Sequence, residues 1–463
     1  MGLNAVLVGV RASFQLIVLY LCARLLGPEG YGTVSFGMAT VAVLQIFLDG
    51  GLSSVVATTP GLKHSVRRAL HWWGVLVAMA VALILIGANW IGVGFLGSGM
   101  SGWSLGYIAA FLIVSSLAAH RKSSAEAAGK VVNVSLIETV CVVGGSSTSL
   151  GLIYVTRNPD LYFLGLLVGG LLQFVLTAMF LRDGWSFWGH VNMTDSKPYV
   201  KSGISLVVAS LVGNGSAQAD IFIGKIFLTS SELGTYALIR DLVNRVNALV
   251  TPVLSRVYMP RMVRLVSDGA PDSKVNLLYR GLISAYALSF GMISLFVAGT
   301  SSGLANLVFG DRWNFHQGLL FSLGVWGWCR GRALLIGPAM YSKGRYELAL
   351  QWNLLRLVPS VAAVFFGVRW GAIGLACAVM CASLLEVFFQ YIFVERRLGL
   401  NGLIELSLIP LSYSSAGAML AALMFYIANP ADVIVAAWVW VGSCAALFLA
   451  ALRLGSKYFK FSG

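Results

Sequence analysis

The chain has 463 residues, 58% hydrophobic and only 11% charged, with a formal net charge of +14. A soluble domain carries about 25% charged residues to cover its surface, so composition excludes a water-soluble globular protein and points to a polytopic membrane protein. In a soluble protein the positive charge would suggest nucleic acid; here it falls in loops between apolar runs, which makes membrane topology its cause.

A spanning helix needs about 20 apolar residues. In chain order the sequence predicts fourteen: 4–26, 33–58, 70–96, 105–121, 131–156, 161–182, 200–228, 234–257, 281–308, 317–341, 347–368, 371–394, 403–427 and 432–453, the fourth being the shortest. The opening MGLNAVLVGVRASFQ lacks a basic leader and a small-residue cleavage site, so the first helix is expected to stay. With the N-terminus inside, the loops divide 21 lysines and arginines on the inner side against 3 outside, namely Arg157, Arg312 and Arg369. That alternation satisfies the positive-inside rule and predicts cytoplasmic termini in a bacterial inner membrane. The longest cytoplasmic loop, about Tyr258 to Arg280, is too short for a domain. The six cysteines all fall in apolar segments and read as small buried hydrophobes.

With the charges at the span boundaries set aside, eight basic residues lie within the spans: Arg11, Arg24, Lys225, Arg240, Arg245, Arg330, Arg332 and Arg356. Five acids accompany them: Asp49, Glu138, Asp220, Asp241 and Glu386. Each such charge costs about 2.5–3.5 kcal/mol at the centre of a span unless it is paired or wet. The surplus of three positives implies a water-filled cavity that receives an anion.

Two segments repeat. LLGPEGYGTVSF (Leu25–Phe36) joins spans 1 and 2, and FLTSSELGTYAL (Phe227–Leu238) joins spans 7 and 8; Gly32 and Gly234 correspond at an offset of 202 residues. Six spans separate them, so the halves share one orientation, a parallel repeat about an axis along the membrane normal. The expected organisation is a first lobe over 1–196, a second over 197–398 and an additional helix pair over 399–463.

With these segments in order, together with LDGGL (Leu48–Leu52), ADIFIGKIFL from Ala219, VYMPRM (Val257–Met262), LVFGDRW (Leu307–Trp313) and WGAIGLA (Trp370–Ala376), the chain resembles the bacterial polysaccharide flippases of the multidrug/oligosaccharidyl-lipid/polysaccharide exporter superfamily. The resemblance covers nearly the whole chain. It implies an all-α fold of two six-helix lobes around a central cavity, with two C-terminal helices. It also implies movement of an undecaprenyl-diphosphate-linked oligosaccharide to the outer leaflet by alternating access. Glycosyltransferases and a polysaccharide polymerase are the implied protein partners.

Helical periodicity sorts the charges, since positions i, i+4, i+7 and i+11 share a face. Asn214, Gln218 and Lys225 form one stripe of span 7, with Asp220 off it. Arg240, Asn244 and Asn247 form a stripe of span 8, where Asp241 precedes Arg245 by one turn. Arg11 pairs with Gln15, Gln45 with Asp49, and Asn353 with Arg356. Arg330 and Arg332 lie about 200° apart, and Arg330 is the one favoured for the cavity. A guanidinium offers a fork of donors suited to phosphate oxygens, so the candidate substrate-binding set is Arg11, Lys225, Arg240, Arg245, Arg330 and Arg356. The competing reading is an internal ion-pair network, with Asp241–Arg245 one such pair. Arg24 and Lys225 lie near the outer helix ends and can snorkel, while Glu138 and Glu386 read as packing partners. Asp49, Asp220 and Asp241 are candidates for H+ or Na+ coupling or for pairing the lobes, with Arg11 or Arg240 as partners for the first two. Gly51 and the pairs Gly144–Gly145 and Gly169–Gly170 suit close helix approach, and Pro252 and Pro260 are placed to bend span 8. Trp72, Trp73, Trp438 and Trp440 read as interface anchors, and the five histidines suggest no site.

The sequence has no Walker A pattern, catalytic triad, carboxylate pair or metal cluster at working spacing, so no enzyme, cofactor or metal is expected. Three rivals stand beside the polysaccharide flippase. A cation-coupled drug exporter would want an acidic cavity. A lipid II flippase shares fourteen helices and a cationic cavity. A non-transporting scaffold would use its loops and not its cavity.

Overall fold

The computed structural model describes residues 2–49, 63–90, 100–181, 193–286, 297, 302–343 and 345–400. Regular structure among them is helical throughout, as expected. The helices are α1 (Gly2–Asp49), α2 (His64–Trp90), α3 (Gly102–Ala127), α4 (Val131–Thr156), α5 (Leu161–Phe180), α6 (Met193–Ser210), α7 (Ala219–Phe227), α8 (Ser230–Ser267), α9 (Asp272–Tyr286), α10 (Ser302–Phe309), α11 (Gln317–Ser342), α12 (Tyr346–Gly367) and α13 (Gly371–Gln390). Among the described residues seven stretches are long and apolar enough to cross a membrane. Large apolar side chains such as Leu83, Ile84 and Val358 stand 67–70% exposed, which suits contact with lipid, and the chain is an integral membrane protein. Spans 13 and 14, with Trp438, Trp440 and Cys444, lie outside the described residues.

The break between spans 1 and 2 is chemical. Gly27 has φ 69° and ψ −175°, a backbone region essentially closed to residues with a Cβ. Pro28 then starts the second half of α1 at the position where its missing N–H costs nothing. The α8 start is closed by side chains: the Thr229 backbone N–H donates to Glu232 Oε2 at 3.0 Å, and the Glu232 N–H donates to Thr229 Oγ1 at 3.2 Å. This reciprocal capping box satisfies two otherwise orphaned donors.

Three expectations need correction. Span 4 is part of a 26-residue helix, α3, whose small residues after His120, Ser123, Ser124 and Ala125, pack inside the protein. Span 7 is not one regular helix: a π turn, Leu211–Gly215, and a 3-10 turn, Ser216–Gln218, separate α6 from α7. Its proposed stripe of Asn214, Gln218 and Lys225 presupposed an unbroken 3.6-residue period, which π and 3-10 turns reset. The loop expected over Tyr258–Arg280 is mostly helix, since α8 runs to Ser267 and α9 begins at Asp272. At 38 residues α8 is about 57 Å long, well beyond a bilayer core of about 30 Å, and it passes through Pro252 and Pro260. It ends at Gly269, φ +66°, where Ala270 N–H bonds Leu265 O and Gly269 N–H bonds Val266 O, the glycine termination that leaves no carbonyl stranded.

Inter-residue contacts divide the chain into two compact units, Met1–Leu238 and Ile239–Gly463. In the first, α4 and α5 pack backbone to backbone. A Cβ on Gly145 would sit 2.9 Å from Gly165 O and from Gly169 Cα, and one on Gly169 would sit 3.2 Å from Cys141 O; the glycine pairs do permit the close approach. Ser149 Oγ closes the same seam by donating to Tyr162 O at 2.9 Å. The cysteine reading holds for Cys22, Cys141 and Cys329, which are buried, and fails for Cys381, which is exposed; in a membrane span an apolar exterior accepts a thiol as readily as the core does.

Candidate functional site

The repeat read from the sequence becomes a contact in the first unit. A Cβ on Gly32 would strike Ser230 O and lie 3.1 Å from Gly234 N; a Cβ on Gly234 would strike Pro28 O and lie 3.0 Å from Gly32 N. Pro28 and Ser230 are themselves 202 residues apart. Each glycine therefore meets the repeat mate of the residue its own mate meets, the reciprocity of a local two-fold axis. Beside this crossing, Phe36 and Phe222 meet edge to face with centroids 5.6 Å apart. Lys225 Nζ stands 5.9 Å from the Phe36 ring and donates to Ser230 Oγ at 3.4 Å.

The charged residues of the first unit are largely engaged. Arg11 Nη1 lies 2.6 Å from Glu138 Oε2, and Lys122 Nζ contacts the other oxygen of the same carboxylate. Glu138 thus ties α1, α3 and α4 together, the packing role foreseen for it, and it takes the place of the aspartates considered as partners for Arg11. Asp220 is buried and accepts from Tyr236 OH at 2.8 Å, so it links α7 to the start of α8. Arg24 Nη1 donates to Tyr20 OH at 2.8 Å. Asp49 ends α1, and its side chain lies outside the described residues.

The second unit separates its arginines by environment. Arg332 is fully buried with Nη2 2.6 Å from Glu395 Oε1, which also accepts from Tyr279 OH at 3.0 Å and Gln390 Nε2 at 3.1 Å. Glu395 closes the π turn Tyr391–Glu395 that follows α13, one residue past the expected end of span 12, which is why the charge count omitted it. Arg330, on the other side of α11, lays its guanidinium 5.3 Å from the Trp326 ring centroid, a cation–π contact. Of the two, Arg332 is the one held inside the protein by a carboxylate. Arg356 Nη1 donates to Glu386 Oε1 at 3.1 Å; its acid comes from the next helix, where same-span periodicity could not show it.

On α8 the expected i, i+4 pair is not made. Asp241 Oδ1 lies 3.4 Å from the buried Arg240 Nη1. Arg245 has a buried Nε with no hydrogen-bond partner and makes no ion pair among the described residues. On the same helix Asn247 is 3% exposed and accepts from Thr251 Oγ1 at 2.7 Å. Four of the in-span arginines, Arg11, Arg240, Arg332 and Arg356, are therefore held by carboxylates, while Arg245 keeps its donor fork. Among the described residues no group of three or more metal-ligating side chains converges.

Comparison with known proteins agrees with this architecture. The chain is 20% identical over 397 residues to the lipopolysaccharide biosynthesis protein WzxC of Escherichia coli K12, covering 84% of this chain and 78% of that protein. It is 21% identical over 358 residues to the amylovoran biosynthesis protein AmsL of Erwinia amylovora, covering 76% of this chain and 90% of that one. Among solved structures, the lipid II flippase MurJ in an inward closed conformation superposes with a TM-score of 0.74 at 12% identity, covering 98% of each chain; at that identity the likeness is one of fold. The family described as polysaccharide biosynthesis protein matches residues 21–316, nearly two thirds of the sequence, and the chain belongs to that family.

Proposed function

We propose that this protein is a flippase that carries an undecaprenyl-diphosphate-linked oligosaccharide from the cytoplasmic to the outer leaflet of a bacterial inner membrane, with both of its own termini in the cytoplasm. The observation that carries the reading is Arg245, a guanidinium in a membrane span with no acid or acceptor among the described residues, in a chain of a polysaccharide-biosynthesis family. An unpaired charge at that depth costs about 2.5–3.5 kcal/mol. A diphosphate offset by a charge-assisted fork of N–H donors relieves that cost. Arg330, whose guanidinium lies over the Trp326 ring, is the second ligand in this reading. Arg11, Arg240 and Arg356, each paired with a carboxylate, and Lys225 are secondary ligands in this reading.

Translocation follows as alternating access. Arginines receive the diphosphate from inside, the polyprenyl tail stays in lipid, and the headgroup is released on the outer side. Each negative charge moved outward gains about 2.3 kcal/mol per 100 mV of membrane potential, so the diphosphate needs no coupling ion; Asp220 joins α7 to α8 and Asp241 pairs with Arg240. The protein performs transport and no covalent chemistry, and it hands its cargo to a polymerase supplied by glycosyltransferases.

The test is complementation of polysaccharide export together with a flipping assay on a defined lipid-linked oligosaccharide. Arg245→Ala and the Arg245→Ala/Arg330→Ala pair should lose transport at normal membrane levels, and Arg245→Lys should retain a fraction. Full export by the double variant would refute the assignment.

A further inference from the structure

The histidines, which suggest no site in the sequence, include a buried pair. His71 on α2 and His120 on α3 are 0% and 1% exposed, with ring centroids 5.3 Å apart at 85°. Their approach is set by Gly74, where a Cβ would lie 3.0 Å from His120 Cε1. Arg67, His71 and Gly74 recur at i, i+4 and i+7 on α2, and Ser116, His120 and Ser124 recur at four-residue steps on α3, so each set is one helix stripe.

The two helices are consecutive spans and run antiparallel. One turn from the histidine contact, about 6 Å along each axis, Arg67 on α2 and Ser124 on α3 come opposite one another, toward the cytoplasmic side in the orientation proposed above. Arg67 Nε, both ring nitrogens of His120 and Ser124 Oγ are all buried without a hydrogen-bond partner among the described residues. The seam is rich in donors. The carboxylate that α4 brings near, Glu138, is already occupied by Lys122 and Arg11. Orphaned buried donors of this kind call for an acceptor. Water would satisfy the hydroxyl and the imidazole but would leave the guanidinium charge uncompensated; an anionic oxygen does both.

At the same end α2 begins with the exposed Lys63 and His64, and basic sites between helices at the cytoplasmic face suit lipid phosphates. We propose that the cytoplasmic end of the α2–α3 seam binds the phosphate of an anionic phospholipid of the inner leaflet, with Arg67, His120 and Ser124 as donors. The inference uses the proposed orientation and does not depend on the transported cargo.

The test uses the full-length protein in nanodiscs of phosphatidylcholine with and without phosphatidylglycerol, read by thermal unfolding and by native mass spectrometry of retained lipid. Wild type should be stabilised by phosphatidylglycerol and retain it. Arg67→Gln and Ser124→Ala should each weaken retention about tenfold, the loss of 1.4 kcal/mol, whereas Lys274→Gln, an exposed charge on α9, should not. Arg67→Lys, which keeps the charge and loses the fork, should fall between and guards against misfolding of the glutamine variant. Equal retention by Arg67→Gln, Ser124→Ala and wild type overturns the proposal. So does an equal stabilisation by inorganic phosphate in phosphatidylcholine discs, which would assign the seam to free anion, or no effect of phosphatidylglycerol on wild type, which would assign it to water. Loss of transport with lipid retention intact, or the reverse, separates this site from the flippase reading.

Discussion

Replacing Gly234 by alanine tests the two-fold crossing directly. The new methyl would overlap the Pro28 carbonyl oxygen and lie 2.8 Å from its carbon and 3.0 Å from Gly32 N. Carbon contacts relax at about 3.5–4.0 Å, so the two backbones must part by about 1 Å, and no side-chain rotation can relieve a clash with backbone. Overpacking of this kind costs about 1–3 kcal/mol, against a gain of about 1 kcal/mol from replacing glycine inside a helix. The net expectation is destabilisation by about 1–2 kcal/mol, at the upper part of the overpacking range. Gly151 on α4 has nothing within 4 Å of its would-be Cβ, so Gly151→Ala keeps the helix gain alone and should be neutral or stabilising. Thermal unfolding followed by a thiol-reactive dye would read the exposure of the buried Cys22, Cys141 and Cys329. Gly32→Ala and Gly234→Ala should each melt below wild type, and their double variant should fall short of the sum, since both perturb one contact. If Gly234→Ala melts with Gly151→Ala, the backbones do not meet as described.

Three further outcomes follow from the same geometry. Breaking the buried Arg332–Glu395 pair by Arg332→Ala should cost about 3–5 kcal/mol and lower membrane levels, unlike Arg245→Ala; similar expression of the two variants would count against the division of the arginines into packed and available groups. Gly145→Leu should force α4 from α5 and lower the melting temperature well beyond the effect of Gly151→Ala. Outside the membrane, the hydrogen bond and charge of Lys343 hold the exposed Asp272 carboxyl below its ordinary range. A depressed carboxyl stabilises the fold above its unfolded pKa, and the contribution disappears as pH falls through the folded value. The stability gap between wild type and Asp272→Asn should accordingly be flat above about pH 4 and close on further acidification; a gap that widens in acid would reverse the assignment.

Much of the architecture is legible along the chain because the bilayer simplifies the code. Apolar length fixes where a helix spans, so span 5 was read at its observed bounds, Val131–Thr156. The 202-residue repeat points to two glycines that touch. Glycine and proline also carry local geometry, as at Gly27–Pro28. The Gly269–Ala270–Pro271 sequence signals a helix end, whereas the helical stretches on either side of it, to Ser267 and from Asp272, are not legible as spans because they do not form apolar runs. Partners of charge could not be read this way. Periodicity within one helix reports which residues share a face, whereas Arg11 finds Glu138 at a separation of 127 residues and Arg356 finds Glu386 at 30, across helices whose rotation and depth are set by packing. The sequence alone determined a membrane-embedded helical repeat with an excess of buried positive charge. Only the tertiary structure decided which of those charges are neutralised, because a Coulomb partner is a matter of a few ångströms in space and leaves no period in the chain.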